Sequence, residues 1–149
     1  MNSVPVSDNQ VAEIIKVLNG GITFYQDSKR KVSSEHLQAM FNRMIEEKEL
    51  AVIALRKYMT VTQQADTVQY TDWTIGIRKL YTELMESVKS ANDCLYVKQL
   101  EQVENKVLDV IDTALDDNQP QTFACELRRI RTRMQQCHDE IRSLHKVSA

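Results

Sequence analysis

Residues 121–145, QTFACELRRIRTRMQQCHDEIRSLH, decide the fold. Phe123, Leu127, Ile130, Met134, Cys137, Ile141 and Leu144 recur at steps of four and three without a gap. That spacing lines all of them along one stripe of an α-helix, whereas a half-buried strand would alternate every second residue. Arginine, glutamine and acidic residues fill the remaining positions, so the helix must bury its stripe against other helices of the same kind.

Asp116-Asp117-Asn118-Gln119-Pro120 breaks the chain before this helix. Upstream of the break, residues 92–115 form another long helix, with Val97, Leu100, Glu104, Val107, Ile111 and Ala114 on its stripe. Residues 34–59, capped by Ser33 or Ser34, carry Leu37, Phe41, Met44, Lys48, Ala51, Leu55 and Tyr58. Residues 8–31, with Asp8 as a cap, carry Val11, Ile15, Leu18, Ile22 and Tyr25 and end on the basic run Lys29, Arg30, Lys31, where positive charge suits the carbonyl end of a helix. Between the second and third long helices, residues 60–71 are polar and β-branched and read as a loop. Asp72 then caps a short amphipathic helix over 72–89 with Trp73, Ile77, Leu80, Leu84 and Val88 on one side. Short connections make antiparallel neighbours of helices one and two, and of three and four. The long segment between the two hairpins predicts a crossover, the arrangement of a ferritin-like antiparallel four-helix bundle.

The composition agrees with a single all-α domain over 1–149, since only three Gly and two Pro occur in 149 residues. A net charge of -2 supplies no general attraction to nucleic acid, and no apolar run approaches the roughly 20 residues of a membrane span. The polar N-terminus, Met1 to Gln10, has no basic and apolar regions of a signal peptide, which predicts a soluble, cytoplasmic protein. Cys94, Cys125 and Cys137 are odd in number and lack C-x-x-C spacing, so they read as free thiols rather than a disulfide framework or a zinc site. Thiol redox sensing by Cys94 or Cys137 would need a neighbour that stabilises the thiolate.

Three polar residues near the middle of apolar stripes are the candidates for a site: Lys48, Glu104 and His138. An unpaired charge inside a bundle costs several kcal/mol, so Lys48 and Glu104 either face each other as a buried pair or escape to solvent, the lysine along its aliphatic stem. A single histidine without convergent carboxylates binds metal poorly, so His138 reads as a packing residue. Arg128, Arg129, Arg131, Arg133 and Arg142 make helix four locally basic, but Glu126, Asp139 and Glu140 on the same helix can pair with them on a solvated face. Gly20 and Gly21 weaken helix one by about 1 kcal/mol each relative to Ala, which predicts a close helix contact there, with the crossover helix or a second subunit, or else a kink.

The helix order, the Leu18-Asn19-Gly20-Gly21 segment and Phe41-x-x-Met44-Ile45 resemble the ferritin-like and rubrerythrin-like superfamily, in particular a bacterial family of small uncharacterised four-helix proteins within it. Active members of that superfamily hold two metal ions with a Glu on helix one, Glu-x-x-His on helix two, a Glu on helix three and Glu-x-x-His on helix four. The resemblance places these ligands at Gly21, at Lys48-x-x-Ala51, at Glu104 and at Gln135-x-x-His138. Only Glu104 and His138 keep the ligand type, and a lysine stands where a metal-binding glutamate is required. The resemblance therefore implies a degenerate metal site, no cofactor, and a non-enzymatic interaction or stress-related scaffold that forms a homo-oligomer or docks another protein. The alternative it carries is a metal-binding protein or diiron oxidoreductase using the degenerate ligands Lys48, Glu104, Gln135 and His138.

Overall fold

The computed structural model describes residues 8–59 and 93–148, which form helices and no strand. The helices are α1 (Asp8–Lys31), α2 (Glu35–Arg56), α3 (Asp93–Asp116) and α4 (Gln121–Ser148). Their bounds follow the apolar stripes to within a few residues, with α4 running three residues past His145. Ser34 is the cap of α2: its hydroxyl accepts from the Leu37 amide at 3.3 Å, a contact worth about 1 kcal/mol. Tight turn bonds close the far end of α2, from the Tyr58 amide to the Leu55 carbonyl and from the Met59 amide to that of Arg56, each 3.0 Å. The expected crossover helix at 72–89 lies outside the described residues.

Each helix packs against two others: α1 against α2 and α3, and α4 against α3 and α2. Contacts at the helix ends give the directions. Gln10, at the start of α1, bonds Asp117 and Gln119 beyond the end of α3, so α1 and α3 are antiparallel. Arg43 pairs with Glu140, Glu47 with Arg133 and Lys57 with Glu126, so α2 and α4 are antiparallel as well. With antiparallel hairpins α1–α2 and α3–α4, the order is up, down, down, up. The end of α2 and the start of α3 therefore sit at opposite ends of the bundle, separated by a helix length of about 35 Å at 1.5 Å per residue.

Because each helix has two neighbours, the buried face is wider than one stripe. Ile14, Val17 and Phe24 on α1, Met40, Ile45 and Val52 on α2, and Val103, Leu108 and Val110 on α3 are buried beside the predicted residues. Burying one such side chain contributes about 1.5–3 kcal/mol, and these layers provide most of the favourable term in folding. Phe41 and Phe123 are fully buried, each edge-on to a tyrosine, Tyr25 at 5.5 Å and Tyr58 at 4.9 Å between ring centres.

Candidate functional site

At mid-height the apolar layers are interrupted by a buried charge pair. Lys48 on α2 and Glu104 on α3 are both 0% exposed, and the lysine Nζ donates to Glu104 Oε1. These helices are diagonal in the bundle, so both side chains reach toward its axis. Tyr25 on α1 completes the cluster: its hydroxyl donates to the same Oε1 at 2.6 Å, and the Lys48 ammonium lies 4.9 Å from the centre of its ring. One oxygen thus accepts from an ammonium and a phenol, while the cation also meets the negative face of an aromatic ring. The second oxygen, Oε2, is buried and accepts no hydrogen bond from the described residues.

Gly21 makes room for this arrangement. A Cβ at that position would lie 3.1 Å from Lys48 Cε, 3.3 Å from Cδ and 3.5 Å from Val103 Cγ1. At Gly21 the close contact is therefore with a lysine stem and a valine, on α2 and α3 of the same chain. Gly21 and Tyr25 are four residues apart and share one face of α1, the glycine admitting the lysine and the tyrosine binding its partner.

On α4, Cys137 is buried. Burial pushes its thiol up to about 12; Lys48 opposes the shift, and Glu104, Glu47 and Glu140 add to it. Such a thiol stays protonated and unreactive at neutral pH. Gln135 and His138 turn instead to Asp139, the amide donating to its carboxylate at 2.9 Å and His138 Nδ1 lying 3.2 Å from the same oxygen. Those bonds hold the Asp139 carboxyl below its ordinary range. His138 is buried by packing, at 8% exposure. Cys125 is exposed, and the side chain of Cys94 lies outside the described residues.

The donor set does not fit a dinuclear metal centre. Among the described residues no three His, Cys, Asp or Glu side chains converge. The cluster offers one carboxylate, already paired with an ammonium, where two divalent cations need several carboxylates to neutralise them. On helix four, Cys137 is a buried thiol held protonated, and His138 bonds Asp139 on its own helix. Tyr25, Gly21 and Cys137 carried no polar signal on their stripes; the readable hint was a glycine at mid-helix, since glycine there is unfavourable unless something occupies the space.

The family model described as a domain of unknown function, DUF2383, matches residues 8–117 and so spans α1, α2 and α3 with all three residues of the hydrogen-bonded cluster. The chain belongs to the DUF2383 family. Within this family match, the site residues supplied by α1, α2 and α3 are Tyr25, Lys48 and Glu104, and α4 with Cys137 lies beyond it. No curated protein and no solved structure matches the chain. No helix of the described residues is long and apolar enough to cross a membrane.

Proposed function

We propose that this DUF2383 chain is a ferritin-like bundle in which a neutral Lys48–Glu104–Tyr25 cluster stands where active relatives of such bundles hold metal, and that it acts as a non-enzymatic, cytoplasmic interaction or stress-related scaffold. The single observation that carries the reading is the Lys48 ammonium, fully buried against Glu104 with its stem beside Gly21. Gly21, Lys48 and Glu104 are among the positions to which the resemblance assigns ligands from the first three helices, and here Lys48 lies against Gly21 and pairs with Glu104. An ammonium supplies one positive charge at the level where metal ions would supply several, and one carboxylate balances it.

The up-down-down-up order supports the ferritin-like reading, because it requires one long connection between the second and third long helices. Full burial of the Lys48–Glu104–Tyr25 cluster, whose charged groups are bonded to one another, supports a structural role for it over one in catalysis. The test is elemental analysis of the purified protein before and after iron, zinc and copper are offered and unbound metal is removed. The expected result is no retained metal. Retention of about two ions per chain, the stoichiometry of active bundles, would refute the reading and reopen oxidase chemistry.

A further inference from the structure

The buried cluster brings a lysine and a glutamate into an arrangement from which an amide forms. Lys48 Nζ donates to Glu104 Oε1, both side chains are fully buried, and the Tyr25 hydroxyl donates to the same oxygen at 2.6 Å. Glu104 Oε2 accepts nothing from the described residues. The two carboxylate oxygens are therefore unlike: one is held by two donors, and the other is unbonded. An amine hydrogen-bonded to a carboxylate oxygen has the carboxyl carbon as its next neighbour beyond that oxygen. Gly21 fixes the approach, because the lysine stem occupies the space where a Cβ would lie 3.1 Å from Cε and 3.3 Å from Cδ.

Burial makes the charged form of this pair costly and its condensation favourable. Each charge carries a desolvation penalty, and an ionised carboxylate with an unbonded oxygen carries more. An amide between Lys48 Nζ and Glu104 Cδ removes both charges and the unbonded oxygen at once. Holding the reactants together supplies the rate, since well-oriented intramolecular pairs react as if one partner were present at on the order of 10⁵–10⁸ M. Tyr25 stands where charge develops, because the oxygen it holds becomes the oxyanion when the amine adds to Cδ.

We propose that Lys48 and Glu104 are joined by an isopeptide bond that the folded chain forms by itself, a modification site tying α2 to α3. A proton passes from the ammonium to the carboxylate, leaving an amine beside a carboxylic acid with no change in net charge. The amine nitrogen adds to Cδ, Oε1 takes the negative charge under the Tyr25 hydroxyl, and Oε2 leaves as water. Of the three protons on the ammonium, one stays on the amide nitrogen and two depart with Oε2. Nothing is oxidised or reduced, and no co-reactant is required. The proposal rests on the structural reading of the cluster and deepens it: the bond links helices that are diagonal in the bundle, across 56 residues of sequence.

The experiment is the intact mass of the purified full chain under denaturing conditions, where an ion pair separates and a covalent bond persists. The expected mass is one water molecule below that of the sequence. Protease digestion should release segments of α2 and α3 as one branched fragment joined through Lys48 and Glu104. Lys48→Met should have its full sequence mass. Tyr25→Phe, with helix content as the check on folding, should lose water about a hundredfold more slowly after synthesis, the effect of removing one oxyanion donor. A wild-type chain at its full sequence mass would overturn the proposal whatever the variants do. So would water lost equally from Lys48→Met, or as fast from Tyr25→Phe as from the wild type. Metal analysis of the same sample keeps the two ideas apart. A full mass removes the bond and leaves the ion pair and the scaffold reading standing, whereas retention of about two metal ions per chain refutes that reading whatever the mass.

Discussion

Replacing Lys48 by Met keeps an unbranched stem against Gly21 and removes the ammonium. Glu104 would then be 0% exposed with one hydrogen bond, from Tyr25, and an unpartnered Oε2. The modest value of surface ion pairs does not apply to such a site. Breaking a buried pair by removing one partner costs about 3–5 kcal/mol, because the remaining charge keeps its desolvation penalty and loses its compensation. Glu104→Gln is the complementary change: it leaves the ammonium with an amide oxygen and the Tyr25 ring, and should cost a similar amount. Changing both leaves a thioether and an amide that still accepts from Tyr25, so the double variant should lie within about 2 kcal/mol of the wild type. The coupling energy from the cycle is then about 3 kcal/mol or more, far above the ~0.5 kcal/mol departure expected of independent sites. Denaturant unfolding monitored by helix content measures all four stabilities. At about 2–4 °C per kcal/mol for a chain of this size, each single change should lower Tm by roughly 6–20 °C. Additive effects, or a single variant within about 1 kcal/mol of wild type, would show that the pair is not the buried, mutually dependent unit described here.

Other perturbations probe the same region from different sides. Gly21→Ala, which in an open helix would stabilise by about 1 kcal/mol, should destabilise this one, because a Cβ would press on a lysine stem held by Glu104; equal stabilisation in wild type and Lys48→Ala backgrounds would contradict that contact. Lys48→Glu should bind no metal and should lower Tm through carboxylate repulsion with Glu104, so unchanged melting would count against the geometry. Thiol labelling of the native protein should modify Cys125 and spare Cys137, and rapid modification of Cys137 would mean that its surroundings are open to solvent. Since the folded thiol of Cys137 ionises near 12 against an ordinary 9.0, its contribution to stability is complete below pH 9 and is lost as pH rises toward 12. Cys137→Ala should therefore flatten the alkaline limb of the stability profile, and an identical limb in both proteins would refute the shift.

Four-three spacing was sufficient to place the long helices, because a helix that buries one face must repeat its apolar residues at the helical period. Short connections at 32–34 and 117–120 made hairpin neighbours legible, because so few residues cannot carry the chain away from its last helix. The full width of the core was not legible. Ile14, Val17 and Val103 sit off the predicted stripes, and only the square packing, with two neighbours per helix, decides that they are buried.

The candidate site divides along the same line. That Lys48 and Glu104 lie on apolar stripes could be read from spacing, and burial without compensation is so costly that a pair or an escape to water was required. Which of these occurs depends on whether two diagonal helices bring mid-height residues to one level, a distance that the period of either helix does not contain. Tertiary packing alone supplied Tyr25 as the second donor and Gly21 as the space for the lysine. A one-residue change along a helix turns a side chain by about 100°, enough to carry Gln135 and His138 from the bundle axis to Asp139. Local periodicity is enough to set the helices and their apolar faces, whereas the meeting of polar atoms depends on the relative rotation and height of helices far apart in the chain, which packing alone fixes.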